Sequence, residues 1–197
     1  YQKNGITYDG IGATGDMHSN TVNGSGRDHL FAPIIAQNGI QISDGAQVTI
    51  ERNTISDNTY TGPAFASSSG IIVFGGCGGP VVANTTVDDN TTYENDVGIY
   101  LVNFNNACTA PTTTQTSDLI IGNELHNSHI TNVGTWTFGT TTYNGYQAGI
   151  NIISNSDSIT ANYIFGQGYT KREIAGTCFI LPIDTITFPT IDSHVYN

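Results

Sequence analysis

The chain is poor in positive charge. Only Lys3, Arg27, Arg52, Lys171 and Arg172 stand against sixteen acidic residues, a formal charge of -11 over 197 residues. A field of that sign repels polyanions, so nucleic acid and anionic lipid surfaces are not expected partners. No run approaches the roughly 18 apolar residues that a membrane helix needs, which argues against membrane insertion. Helical heptads and long strands are missing too. Neither end shows an amphipathic helix able to cap an open sheet, and no signal-peptide pattern occurs within the 197 residues, as expected if the numbering begins after processing or inside a longer protein. The chain starts mid-pattern, and we expect a segment of a longer chain or assembly. There is one methionine, Met17, which reads as core packing, and one tryptophan, Trp136. The three cysteines lack the spacing of a zinc or iron–sulfur site.

Asn, Thr, Ser and Gly fill the space that charge leaves. They make a hydrogen-bonding surface rather than a salt-bridged one, which suits a secreted or cell-surface protein. The segment from Asn38 to Asn58 shows how they are arranged. Ile40 and Ile42, Val48 and Ile50, then Ile55 alternate with polar residues, and a Gly or Asn turn follows each group. Very short strands joined by tight turns have this pattern.

The pattern recurs. Gly-Ile appears at Gly5-Ile6, Gly39-Ile40, Gly70-Ile71, Gly98-Ile99 and Gly149-Ile150. An Asn before an apolar residue appears at Asn20, Asn53, Asn123 and Asn162, and at Asn84 with one extra residue, read as a bulge. The fourth interval is longer, with an insertion from Asn105 to about Gln115. One such unit cannot bury its apolar side, but stacked units can. We therefore expect an all-β solenoid, a parallel β-helix of five to six rungs spaced about 4.8 Å apart. The landmark asparagines would then hydrogen-bond along the column at a buried corner. It forms one domain over 1–197, with 171–197 irregular or a last partial rung that starts near Cys178. A β-sandwich also has many short strands, yet it does not require the same landmarks five times over.

On these segments (Gly39 to Asn58, Gly70 to Asn90, Gly98 to Asn127 and Gly149 to Gly166) the chain resembles the right-handed parallel β-helix repeat proteins of the pectin-lyase-like superfamily. That resemblance implies a fold and no single activity, since the group spans lyases, polygalacturonases, epimerases, tailspikes and surface proteins.

Cys77 and Cys108 follow the strands that begin at Ile71 and Ile99, comparable points of adjacent rungs, and are expected to form a disulfide. Cys178 is left over.

Long loops recur after the landmark Asn and before the next Gly-Ile, so stacking sets them along one edge. Tyr60, Phe65, Tyr93, Trp136, Phe138, Tyr143 and Tyr146 concentrate there. They read either as glycan-binding rings or as rings that pack the loops onto the column. Aligning Ile55 with Val87 and Leu125 stacks Ser56, Asp88 and His126, then Asp57, Asp89 and Asn127. Asp57 and Asp89 one rung apart would approximate the separation of a retaining glycosidase pair, with Asp88 and His126 beside them. The same two carboxylates with backbone oxygens would suit calcium, the one cofactor considered. They read equally as solvated turn aspartates. The five histidines have no metal-ligand spacing.

Two functions follow. One is a structural scaffold or adhesin whose partner is a polysaccharide, a cell-surface glycan, or neighbouring copies or domains of the same assembly. The alternative is a glycoside hydrolase or other polysaccharide-active enzyme using Asp57 and Asp89. A lyase fits less well, because few cations are available to hold a polyuronate.

Overall fold

The computed structural model describes residues 1, 3–26, 35–60, 67–129, 135–138, 141–144 and 147–169. Five rungs run through them. The first is β1 (Asn4–Asp9), β2 (Thr14–His18) and β3 (Thr21–Asn23). The second is β4 (Asn38–Ser43), β5 (Gln47–Glu51) and β6 (Thr54–Ser56), and the third is β7 (Ser69–Gly75), β8 (Thr86–Asp88) and β9 (Thr91–Tyr93). The fourth comprises β10 (Val97–Asn103), β11 (Leu119–Ile121) and β12 (Glu124–His126). A two-stranded ribbon, β13 (Thr135–Phe138) and β14 (Thr141–Asn144), precedes the fifth, which is β15 (Ala148–Ile153), β16 (Ser158–Thr160) and β17 (Tyr163–Phe165). First, second and third strands of the rungs form three separate parallel sheets of five strands each. This is a parallel β-helix-like coil, in which each rung pairs only with the rungs above and below.

The Gly-Ile anchors align residue for residue. Ile6, Ile40, Ile71, Ile99 and Ile150 are register partners in the first sheet. They point into one apolar column with Ile50, Val87 and Ile120 of the second sheet and Ile55 and Leu125 of the third. The glycine before each Ile is needed for close approach. A Cβ on Gly39 would lie 2.3 Å from Ile55 Cγ2, and one on Gly149 would lie 2.4 Å from Ile164 Cγ2. The third sheet's inward residue already fills that space.

Asparagines form the expected ladder, and the third rung corrects its register. The ladder runs Asn20, Asn53, Asn90, Asn123, Asn162, each backbone N–H donating to the Oδ1 of the next at 2.9 to 3.0 Å. Asn84 is not a member. It is exposed and lies ahead of β8, whereas Asn90 lies between β8 and β9 and is 1% exposed. The misreading has a clear cause. Val87 pairs with Ile50 and Ile120 in the second sheet, so Asn84-Thr85-Thr86-Val87 imitates the landmark. The true inward residue after Asn90 is Thr92, a register partner of Ile55 and Leu125, and its polarity hides it from an apolar pattern.

Cys77 and Cys108 are paired, their Cα atoms 4.6 Å apart, joining the glycine corner of rung three to the insertion of rung four. Most of the insertion is exposed, but it is tied down at two points. Thr112 is 7% exposed and its N–H donates to Asn103 O; Thr116 is 0% exposed and its O accepts Asn84 N–H. Replacing both cysteines by serine opens a 31-residue loop and should lower stability by about 2 kcal/mol, the low end of the usual range because these hydrogen bonds still hold the insertion. Thermal unfolding with and without reductant checks this, and an unchanged midpoint would contradict it.

Candidate functional site

Most corners place one or more residues in the left-handed conformation. Between second and third sheets these are Ser19, Arg52, Asp89, Gly122 and Ala161; at the end of the third sheet they include Asp57 and Glu94. Asp and Asn tolerate that conformation better than most residues, which explains the aspartates at these turns.

The two corners separate the paired carboxylates expected from the sequence. Asp57 N–H donates to Tyr93 O and Glu94 N–H to His126 O, so Asp57, Glu94 and Asn127 share one corner. Arg52 N–H donates to Asp88 O and Asp89 N–H to Ile121 O, so Asp89 stacks with Arg52 and Gly122 at the other. Asp88 pairs with Glu51 and Ile121, not with Ser56 and His126. The proposed Asp57–Asp89 pair on one stack is therefore corrected, together with the placement of Asp88 beside His126. The residue between Ser56 and His126 is Tyr93, itself an expected ligand contact.

The best-defined polar cluster is built on that third-sheet corner. Glu94 Oε1 accepts Ser128 Oγ–H at 2.6 Å and Ser128 N–H at 3.0 Å, while Glu94 Oε2 lies 2.7 Å from His129 Nδ1. His126 Nδ1 is 3.8 Å from Glu94 Oε1. Partial burial pushes the Glu94 carboxyl up, but the bonds from Ser128 and His129 outweigh it and hold it below the usual carboxylate range. This is not a nucleophile arrangement. The serine proton is engaged by Glu94, and the serine and the glutamate meet the same imidazole nitrogen, where a triad needs them on opposite ones. The cluster latches the root of the 128–147 connection to the column. The sequence shows His126 and His129 in one turn with no carboxylate between them; Glu94 of the neighbouring rung supplies it, and Glu94-Asn95 repeats the Asp57-Asn58 string one rung on.

His126 stacks on Phe165, ring centroids 4.6 Å apart and planes at 27°, and Phe165 contacts Tyr163 at 4.7 Å. His126 and Phe165, register partners on successive rungs, cover part of each other's faces, while Tyr163, on the same strand as Phe165, is 52% exposed.

The remaining aromatic positions divide. Tyr60 is 2% exposed, its N–H donating to Asp96 Oδ2, so it packs inside rather than facing a ligand. Tyr93 is half-buried. In the ribbon, Trp136 is the register partner of Tyr143, and Phe138 that of Thr141. Phe65, Tyr146, Cys178 and any sixth rung lie outside the described residues. Among the described residues no group of three His, Cys, Asp or Glu side chains is placed to hold a metal ion.

A second carboxyl pair has no distinguishing signal in the sequence. Asp118 and Asp157 directly precede β11 and β16, one rung apart, and Asp118 N–H donates to Asp157 Oδ1 at 3.0 Å. Asp118 is 2% exposed. Its burial rules out contact with a polymer substrate and makes the pair part of the corner's own architecture.

No family model, curated protein or solved structure matches the chain.

Proposed function

We propose that the chain is a secreted or surface-displayed scaffold that binds a neutral glycan through the β13–β14 ribbon. The observation that carries this reading is the ribbon register. With Trp136 opposite Tyr143, and Phe138 two positions from Trp136, three aromatic residues occupy the same alternate set of positions on one short ribbon. Aromatic residue types at such positions suit the apolar faces of sugar rings. The neighbouring Thr137, Thr142 and Asn144 supply hydroxyl and amide groups on the other alternate set. The -11 charge favours a neutral polymer over an acidic one. Export is supported by the Cys77–Cys108 pair, which persists in oxidising surroundings. We read the coil as right-handed and pectin-lyase-like, because crossovers between parallel strands are right-handed in nearly all cases.

A panel of neutral glycans, probed for binding and for product release, tests this. Binding without turnover is expected. Trp136→Ala should weaken it about 30-fold, the loss typical of a Trp anchor worth roughly 2 kcal/mol, with the unfolding midpoint unchanged. Binding indifferent to Trp136→Ala, or no binding across the panel, would sink the proposal.

A further inference from the structure

Asp118 and Asp157 do for their corner what ladder asparagines do for theirs. Asp118 Oδ1 accepts Thr85 N–H at 2.8 Å, and Asp157 Oδ1 accepts Asp118 N–H at 3.0 Å. A carboxylate differs from an amide in having no hydrogen to give, and this corner is short of hydrogens. Asp118 Oδ2 is buried without a partner. Thr116 Oγ1 stands 2.6 Å from both Asn155 O and Asp157 Oδ1, yet a hydroxyl donates once. Ser154 Oγ, 3.0 Å from Thr116 Oγ1, accepts Asn103 Nδ2–H and bonds the Asp157 carboxylate, so its single hydrogen is claimed as well. The charged group facing Asp118 is Asp157, and the side chains bonded to the pair, Thr116 and Ser154, are neutral.

The same corner anchors the far arm of the insertion. Thr116 bridges three rungs: its O accepts Asn84 N–H at 2.9 Å, and its N–H donates to Asn155 O at 3.0 Å. Asn155 Nδ2 donates in turn to Thr113 O at 3.1 Å.

We propose that the Asp118–Asp157 pair retains a proton at neutral pH that clasps the arm 112–118 to rungs three and five, and that losing this proton loosens the clasp. The proton supplies the missing donor and removes one of two stacked buried charges. Burial, opposed by the Thr85 hydrogen bond and reinforced by the charge of Asp157, lifts Asp118 from 3.8 to about 8. Burial also raises Asp157, against the bonds from Thr116, Asp118 and Ser154. Between the ordinary aspartate range and about 8 the folded chain therefore holds a proton that the unfolded chain has released. Stability falls as pH rises across that window and levels off above it.

The test is the unfolding midpoint and amide hydrogen exchange of the full chain from pH 5 to 9, for wild type, Asp118→Asn and the exposed-charge control Asp89→Asn. Asp118→Asn keeps the Oδ1 acceptor and puts N–H where the proton sits. It should flatten the fall in midpoint and match or exceed wild type at pH 8, while Asp89→Asn follows the wild-type slope. Exchange at Thr85 and Thr116, corrected for intrinsic base catalysis, should rise more than about tenfold per two pH units in wild type only. A carboxyl carbon titration of wild-type Asp118 gives a direct reading should the variant fold poorly. A midpoint near 4, or a pH profile unchanged by Asp118→Asn, would overturn the clasp.

Discussion

Asn123→Ala should destabilise the coil by about 4 kcal/mol, a large part of the roughly 5–15 kcal/mol that holds a domain folded. The side chain is fully buried. Its Oδ1 accepts Asn90 N–H at 2.9 Å and Asn90 Nδ2–H at 3.0 Å. Its Nδ2 donates to Val87 O, Ile121 O and Asn162 Oδ1, each at 2.9 Å. Truncation leaves Asn90 N–H without a partner, at about 1–3 kcal/mol, and loses the other hydrogen bonds of the buried amide, at about 0.5–1.5 kcal/mol each. Asn123→Asp should be worse at neutral pH, because a carboxylate would face three acceptors with no hydrogen to offer. Asn20→Ala, in the outermost described rung, should cost much less, since Asn20 is only half-buried and gives Nδ2–H to His18 O and Asn53 Oδ1. Denaturant melts of the three variants give the comparison. Equal losses at Asn20 and Asn123 would mean that the ladder carries no special energy.

Gly98→Ala should cost more than about 3 kcal/mol, beyond the usual range for one inserted methyl group. The added Cβ would lie 2.5 Å from Leu125 Cδ2, 2.6 Å from Gly149 O and 2.8 Å from Thr92 Oγ1. Leu125 and Thr92 side chains can shift by rotation. Gly149 O belongs to the next rung's backbone and cannot move without breaking register with β10. Combining Gly98→Ala with Leu125→Ala separates these terms. The double variant should lose less than the sum of the singles, because removing the Leu125 methyls relieves one of the collisions. Additive losses, or a Gly98→Ala variant with wild-type stability, would show that the first sheet has slack at this point.

Both predictions rest on ladders whose members were partly legible beforehand. Gly-Ile was read at all five anchors because a glycine forced by close approach and an inward Ile sit side by side in the sequence, with no insertion between them. The asparagine ladder was read at four of its five positions. At rung three the corner loop from Gly76 to Asn84 adds length, and Thr92 takes an apolar residue's place, so counting chose Asn84 over Asn90. That single slip set Asp88 and Asp89 against His126 and Asp57, and it produced the carboxylate pair that the register takes apart. The cysteine pair was legible because both residues follow strands of the same sheet.

What the sequence determined by itself was the repeat. A period of short alternating strands, with glycine and asparagine at fixed points, has few ways to bury its apolar side other than by stacking. The tertiary structure alone decided which side chains of different rungs meet. That depends on how many residues each corner absorbs, and a loop in the left-handed conformation can take up extra residues without any change in the strands on either side. For this reason Glu94 with Ser128 and His129, and Asp118 with Asp157, appear only once the rungs are in register. Burial decided the rest: a stacked aspartate reads as an ordinary turn residue in the sequence, and only its removal from water makes its proton matter.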